Sequence, residues 1–317
     1  MKAFYSLKPL ALAFAVLLSA GCTQQYTSKA IDITDIVLTK TSGDCADYAA
    51  TYSAEVQDLQ NDTEFTSSFT ISNDDSSCSI QSNDIPNYDF NDATAHFADD
   101  VATQNFSLTI PRNPKRAAIA TELNELQYNA VLLNGVVLDE LTDGCYKPED
   151  PGADSQGNIA RGCGPIADWR LNALGAVRFG TDSHNAHTQP GGLYHYHGNP
   201  LALFDLDDST KASPVIGFAA DGFPIFGPHF IDPQTGKVTH AVSGYTLKSG
   251  NRPTSISSPT GKYDGTYIQD YEFTGAGNLD KCNGMTVDRQ YGYYVTDEYP
   301  YVIACYSGNP DSSFLKR

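Results

Sequence analysis

The chain has 317 residues, with 38 acids against 20 lysines and arginines and a formal net charge of −18. So acidic a surface disfavours nucleic acid and anionic lipid as partners. With 26 glycines, 17 prolines, 19 tyrosines and 15 phenylalanines, and few long stretches of helical period, the composition argues against a helical bundle. It points to a mainly β, loop-rich, aromatic-packed fold with little helix.

Residues 1–21 read as a secretory signal: a charged start with Lys2 and Lys8, an apolar run from Leu10 to Leu18, and small residues before Cys22. The run Leu18-Ser-Ala-Gly-Cys22 is similar to a bacterial lipoprotein cleavage box, so Cys22 is expected to carry acyl chains that anchor the mature chain to a lipid bilayer. Thr23 at the next position points to the outer membrane by the sorting rule of such lipoproteins. Removing residues 1–21 takes away two lysines and no acid, which moves the net charge to −20.

Residues 22–30 read as a polar tether and 31–120 as an N-terminal β region. In that region Ile33–Thr39, Phe65–Ile71 and Phe106–Ile110 alternate apolar with polar residues, the pattern of half-buried antiparallel strands. Asp47–Gln60 has apolar spacing that fits a helix or a strand equally well. A second unit is expected over 121–317, opening with two strands joined at Asn134-Gly135, a hairpin-type turn. Pro148–Gly164 reads as a long surface loop tied off by Cys145 and Cys163.

Cys22 aside, six cysteines remain, an even number that suits an oxidising compartment. About fifteen connectivities are open in principle. Sequential pairing is expected, Cys45 with Cys78, Cys145 with Cys163 and Cys282 with Cys305, because each pair brackets one turn-rich segment. The fold class expected is therefore an antiparallel β sandwich or sheet architecture stapled by disulfides.

Four of the seven histidines, His184, His187, His195 and His197, fall within fourteen residues. If Tyr194–His197 is extended, His195 and His197 point to one face and Tyr194 and Tyr196 to the other. Neutral imidazoles side by side on a strand make a platform for a divalent metal, copper or zinc, with three or four ligands sufficing. His184 and His187 sit in a turn-rich segment that could fold back to complete the set. Asp182, Tyr194, Tyr196 and Asp221 are candidates to support those ligands from behind.

The run Gly192-Leu-Tyr-His-Tyr-His-Gly198, followed by Gly217-Phe-Ala-Ala-Asp221-Gly-Phe-Pro-Ile-Phe-Gly227-Pro, resembles the bacterial YHYH-domain family. Leu279–Thr286 and Tyr299–Gly308 resemble a second block of that family, so the likeness runs from about Val131 to Gly308. It implies that 121–317 is a YHYH domain and that its histidines are metal ligands. It brings no settled reaction.

An internal echo is also present. Asp182-x-His-Asn185-Ala-His-Thr188 lines up with Asp280-x-Cys-Asn283-Gly-Met-Thr286, and each is followed by a Tyr-x-Tyr strand. The histidine positions read Cys282, Met285, Gly292 and Tyr294 in the second copy, so a single metal, if bound, is expected in the first.

Three functions fit these observations. The first is metal handling or sensing at the cell envelope. The second is a metal-dependent extracytoplasmic enzyme, a hydrolase or copper oxidoreductase, in which Tyr194, Tyr196 or Asp221 assists. The third is a surface interaction module whose Trp169, Tyr263 and Tyr267 meet glycan or protein while the histidines hold the fold. Nucleophile elbows, phosphate loops and His-Glu-x-x-His helices are absent from the sequence.

Overall fold

A computed structural model describes Met1 and residues 29–92, 96–175, 180–206 and 208–316. The expected signal segment and Cys22 lie outside the described residues. Among those described, helical structure is limited to short 3-10 turns, and no helix is long and apolar enough to cross a membrane.

The N-terminal region is a five-stranded sheet of β1 (Ile31–Asp32), β2 (Ala50–Asp58), β3 (Thr63–Asn73), β4 (Ser77–Ser82) and β5 (Phe106–Pro111), joined in that order. The ambiguous stretch around residue 50 resolves as strand β2, because Tyr52, Ala54 and Val56 bury one face at period two against Phe69 and Ile71 of β3. The strand expected over Ile33–Thr39 is instead cut short. Asp35 adopts a left-handed φ of 54° and Ile36 N–H turns back to Ile33 O, so the ladder ends at Asp32.

The second sheet has eight strands: β6 (Ala130–Leu132), β7 (Val137–Leu138), β8 (Ala186–Gln189), β9 (Leu193–Tyr196), β10 (Val215–Ala219), β11 (Pro224–Phe226), β12 (Gly284–Val287) and β13 (Gln290–Tyr294). Their spatial order is β8-β9-β7-β6-β10-β11-β13-β12. Most junctions are antiparallel, as expected, but β9 runs parallel to β7 and β13 parallel to β11. A parallel pair needs a long crossover, and here residues 139–192 and 227–289 supply it.

That order is two four-strand halves related by a pseudo-two-fold axis. The axis passes through the central antiparallel pair of β6 and β10, where Val131 faces Phe218, Leu132 faces Gly217 and Ala130 faces Ala219. Each half opens with the same tight turn. Leu132 N–H bonds Val136 O in one and Ala219 N–H bonds Phe223 O in the other, both at 2.9 Å. Gly135 (φ 89°) and Gly222 (φ 88°) occupy the left-handed position that only glycine takes without strain. The outer hairpins match as well: Asp182 N–H bonds Ala186 O and Asp280 N–H bonds Gly284 O, each at 2.8 Å.

One face of the large sheet packs on the N-terminal sheet, and the two share one continuous core. Tyr48 meets Phe218 edge-on with ring centroids 5.6 Å apart, and Phe90 meets Tyr194 at 5.3 Å. Ser82 Oγ donates to Gly135 O at 2.6 Å, tying the first turn to β4. The disulfides are Cys45–Cys78, Cys145–Cys163 and Cys282–Cys305, the sequential pairing. The loop closed by the second is held by Asp143, whose carboxylate accepts the N–H groups of Gly162, Cys163 and Gly164 at 2.7, 3.0 and 3.1 Å.

The other face is covered by long connections, one of which hides a charge pair. Arg252 donates to Asp270 through Nε at 2.8 Å and Nη2 at 2.6 Å, and both side chains are buried. Asp270 also accepts the backbone N–H of Gly265 at 3.0 Å. Arg252 also pairs the more exposed Asp264, so loss of the Asp270 charge leaves the buried guanidinium only partly compensated. Asp270→Asn is therefore expected to lower unfolding stability by about 3 kcal/mol, read as a fall in the urea midpoint at unchanged slope.

Candidate metal centre

The outer hairpin of the first half builds the site. Gly191 and Gly192, both with positive φ, turn β8 into β9, and the register sets His187 directly across from His195. Alternation along the strand sends His195 and His197 to the same outer side. Three imidazoles thus converge, with Nε2 of His197 at 3.0 Å from Nε2 of His187 and 3.1 Å from Nε2 of His195. Ring centroids are 4.6–4.8 Å apart. His184 does not join them: its ring packs on Tyr88 with centroids 4.1 Å apart, and the converging group is three histidines rather than four.

The geometry fits a metal better than it fits hydrogen bonds. An imidazole nitrogen carries one proton or one lone pair, so Nε2 of His197 can form one good bond with its two close neighbours and not both. Two nitrogens held at about 2.0–2.1 Å from one ion stand about 2.9 Å apart at a right angle and about 3.3 Å apart at the tetrahedral angle. The observed 3.0 and 3.1 Å lie between those values.

The surroundings favour the neutral form of His195 and His197. His195 and His197 are buried, and loss of hydration, reinforced by the neighbouring imidazoles, holds both well below the ordinary histidine range. In the neutral form each ring keeps one nitrogen with a free lone pair, the form that binds a metal. The backbone at Asp139 and Glu140 only partly offsets this lowering for His197. Beside it Lys316 Nζ lies 2.6 Å from Asp139 Oδ2, and burial pushes that carboxyl up to about 6 in spite of the ammonium.

His187 is half-buried and faces a cleft of about 340 Å³ whose walls carry Glu125, Asp139, Asp143, Arg161 and Lys316. His197 also reaches a second, smaller cavity of about 220 Å³ beside Glu140 and Arg170. A side of the cluster is thus open to a small molecule.

The tyrosines expected beside the ligands face the opposite way. Tyr194 donates to Asp182 Oδ2 at 2.7 Å, Tyr88 meets Tyr194 at 3.2 Å and also bonds Tyr196, and Asn134 Nδ2 donates to Tyr196 at 3.1 Å. Asp182 further accepts the N–H groups of His184 and Ala186, at 3.0 and 3.2 Å. This buried chain of hydroxyls fixes the strand from behind, and burial raises Tyr88 and Tyr194 well above the ordinary tyrosine range. Proton exchange between these phenols and the cleft is therefore excluded by position. Asp221 belongs to the other half, where it accepts Tyr293 Oη at 2.6 Å and Gly308 N–H at 2.8 Å. Tyr267, one of the aromatics considered for surface contact, is buried against Trp169.

Sequence reasoning missed the Lys316–Asp139 pair and Tyr88. Neither has a local signal, since Lys316 comes from the C-terminus and Tyr88 from the N-terminal sheet region.

Comparison with known proteins adds one match. The profile of the family described as YHYH protein covers residues 107–308, more than half of the chain. No match is found among curated proteins or among solved structures. The matched span contains the whole eight-stranded sheet and all three converging histidines, and the chain belongs to the YHYH protein family.

Proposed function

We propose that this protein binds one divalent metal ion, copper or zinc, through His187, His195 and His197, and serves in metal handling or sensing at the cell envelope. The convergence of three imidazole Nε2 atoms, with two of their separations 3.0 and 3.1 Å, carries this reading. Borderline and softer divalent ions suit imidazole, whereas magnesium and calcium prefer all-oxygen shells. The envelope setting rests on the lipoprotein-like start of the chain and on three disulfides, which persist in oxidising compartments.

The number of ligands and the adjoining cleft favour a second reading, a metal-dependent enzyme. Three protein ligands with a free position are the pattern of catalytic rather than structural zinc. When bound there, such an ion would polarise a substrate oxygen or a water. The chain's own part would be to hold the ligands neutral and to offer Glu125 and Arg161 along the cleft for orienting a substrate.

Elemental analysis and calorimetry on the metal-stripped chain test the site. One equivalent of copper or zinc is expected to bind, with His195→Ala and His197→Ala each weakening affinity by about 100-fold or more, since outer-shell losses alone cost 10–100-fold. His184→Ala is expected to bind within about twofold of wild type. Absence of stoichiometric metal, or equal loss in the His184 variant, would overturn the proposal.

Azide titrated into the copper-loaded chain separates the two readings. A shift in the visible copper spectrum is expected if a coordination position is open, and an unchanged spectrum would remove the enzyme reading. The anchor is tested by metabolic labelling with a tagged fatty acid: the full chain should label and fractionate with membranes, and Cys22→Ala should do neither.

A further inference from the structure

Just beyond β11 the chain makes a short hairpin of its own, His229–Ile231 against Val238–His240, whose register sets His229 directly across from His240. Its turn is tight. Asp232 N–H bonds Lys237 O at 2.9 Å, and Asp232 Oδ1 accepts the N–H of Gln234 at 2.8 Å. Phe230 is buried edge-on against Tyr294, with centroids 5.9 Å apart, which seats the hairpin on the large sheet. The two histidines are thus held by paired backbone rather than by a free loop.

Their rings repeat a relation found in the triad. His187 and His195 also face each other across an antiparallel pair, with ring centroids 4.8 Å apart and planes 62° from parallel. For His229 and His240 the values are 5.0 Å and 84°. His240 Nδ1 donates to Ala241 O at 2.9 Å, so in the neutral ring the lone pair belongs to Nε2. A histidine that gives its other N–H to a backbone carbonyl has the usual bonding of a metal ligand. That Nε2 lies 3.8 Å from Asp297 Oδ2, too far for a hydrogen bond. His229 is 6% exposed and its Nδ1 is buried without a hydrogen-bond partner, which costs free energy unless something meets that nitrogen. Burial and the neighbouring His240 hold His229 below the ordinary histidine range, in favour of the unprotonated form.

We propose that His229 and His240, with Asp297, form a second site for a divalent ion of the imidazole-binding class, copper or zinc. Two imidazoles and a carboxylate are a donor set that such ions accept. An ion bound through Nδ1 of His229 and Nε2 of His240 would give the buried nitrogen the partner it lacks. The side chains of His240 and Asp297 are 37% and 67% exposed, so the ion would stay within reach of solvent and exchange readily, unlike one held by the buried His195 and His197. The pair shares no residue with the triad or its cleft, and the proposal holds whether or not the triad binds metal.

Zinc titrated calorimetrically into the full chain tests the assignment, with excess magnesium present to occupy exposed carboxylates without competing for imidazole. Beyond the tight equivalent assigned to the triad, a second is expected with a dissociation constant of about 1–10 μM. His240→Ala should weaken this second equivalent by about tenfold or more, and Asp297→Asn by about threefold. Both side chains reach the surface, so these variants keep the fold even if His229→Ala does not. His187→Ala should leave the second equivalent within about twofold of wild type, which tells loss of the triad's metal apart from loss of this one. No second equivalent at about 1 mM zinc, a second equivalent unmoved by His240→Ala, or one lost with His187→Ala would each overturn the proposal.

Discussion

The hydroxyl chain from Asp182 through Tyr194, Tyr88 and Tyr196 to Asn134 decides which way β9 faces. Side chains alternate along a strand, so a slip of one residue would exchange the tyrosines with the histidines. That slip would leave several buried hydroxyls without partners, at about 1–3 kcal/mol each, and would bury imidazoles in the aromatic core. The direction of His195 and His197 is thus a consequence of what the tyrosines need. The histidine cluster is oriented from the far side of the sheet by groups on the opposite face.

The second half obeys the same constraint with different results on its outer face. Tyr291 donates to Asp280 Oδ2 at 3.1 Å and Tyr293 to Asp221 at 2.6 Å, repeating the inward bonds of Tyr194 and Tyr196. Inward residues hold the scaffold, and outward residues are left to chemistry. In one half these are three imidazoles, and in the other a glycine, a methionine and a tyrosine. Hydration works in the same direction in both halves. Burial favours neutral His195 and His197 in the first, and in the second it stacks Phe226 on Tyr294.

Much of this was legible in the chain, and the parts that were not share one cause. Period-two patterns around Phe65–Ile71 and Phe106–Ile110 gave strands, and the Asn134-Gly135 pair gave its turn, because local chemistry decides both. The three disulfides followed from spacing alone. The Asp–Asn echo announced the two halves. Long-range partners could not be read. Tyr88 sits 106 positions from Tyr194, and nothing near either residue says that they meet. Tyr194, Tyr196 and Asp221, expected close to the histidines, lie elsewhere for a related reason: adjacency in sequence placed them near the cluster, while the pleat and the pseudo-axis put them on another face or in another half. His184 fits the same account, since three residues from His187 its ring turns to Tyr88.

The pairing at the centre of the large sheet has a consequence for the ancestry of the molecule. Val131 faces Phe218, its own counterpart, and Leu132 faces Gly217 as Ala219 faces Ala130. This is the self-complementary contact of an isologous dimer. Two half-length chains bearing this hairpin could close the same sheet by associating, with identical sites at both ends. Covalent fusion of such protomers releases them from symmetry, because a substitution in one no longer appears in the other.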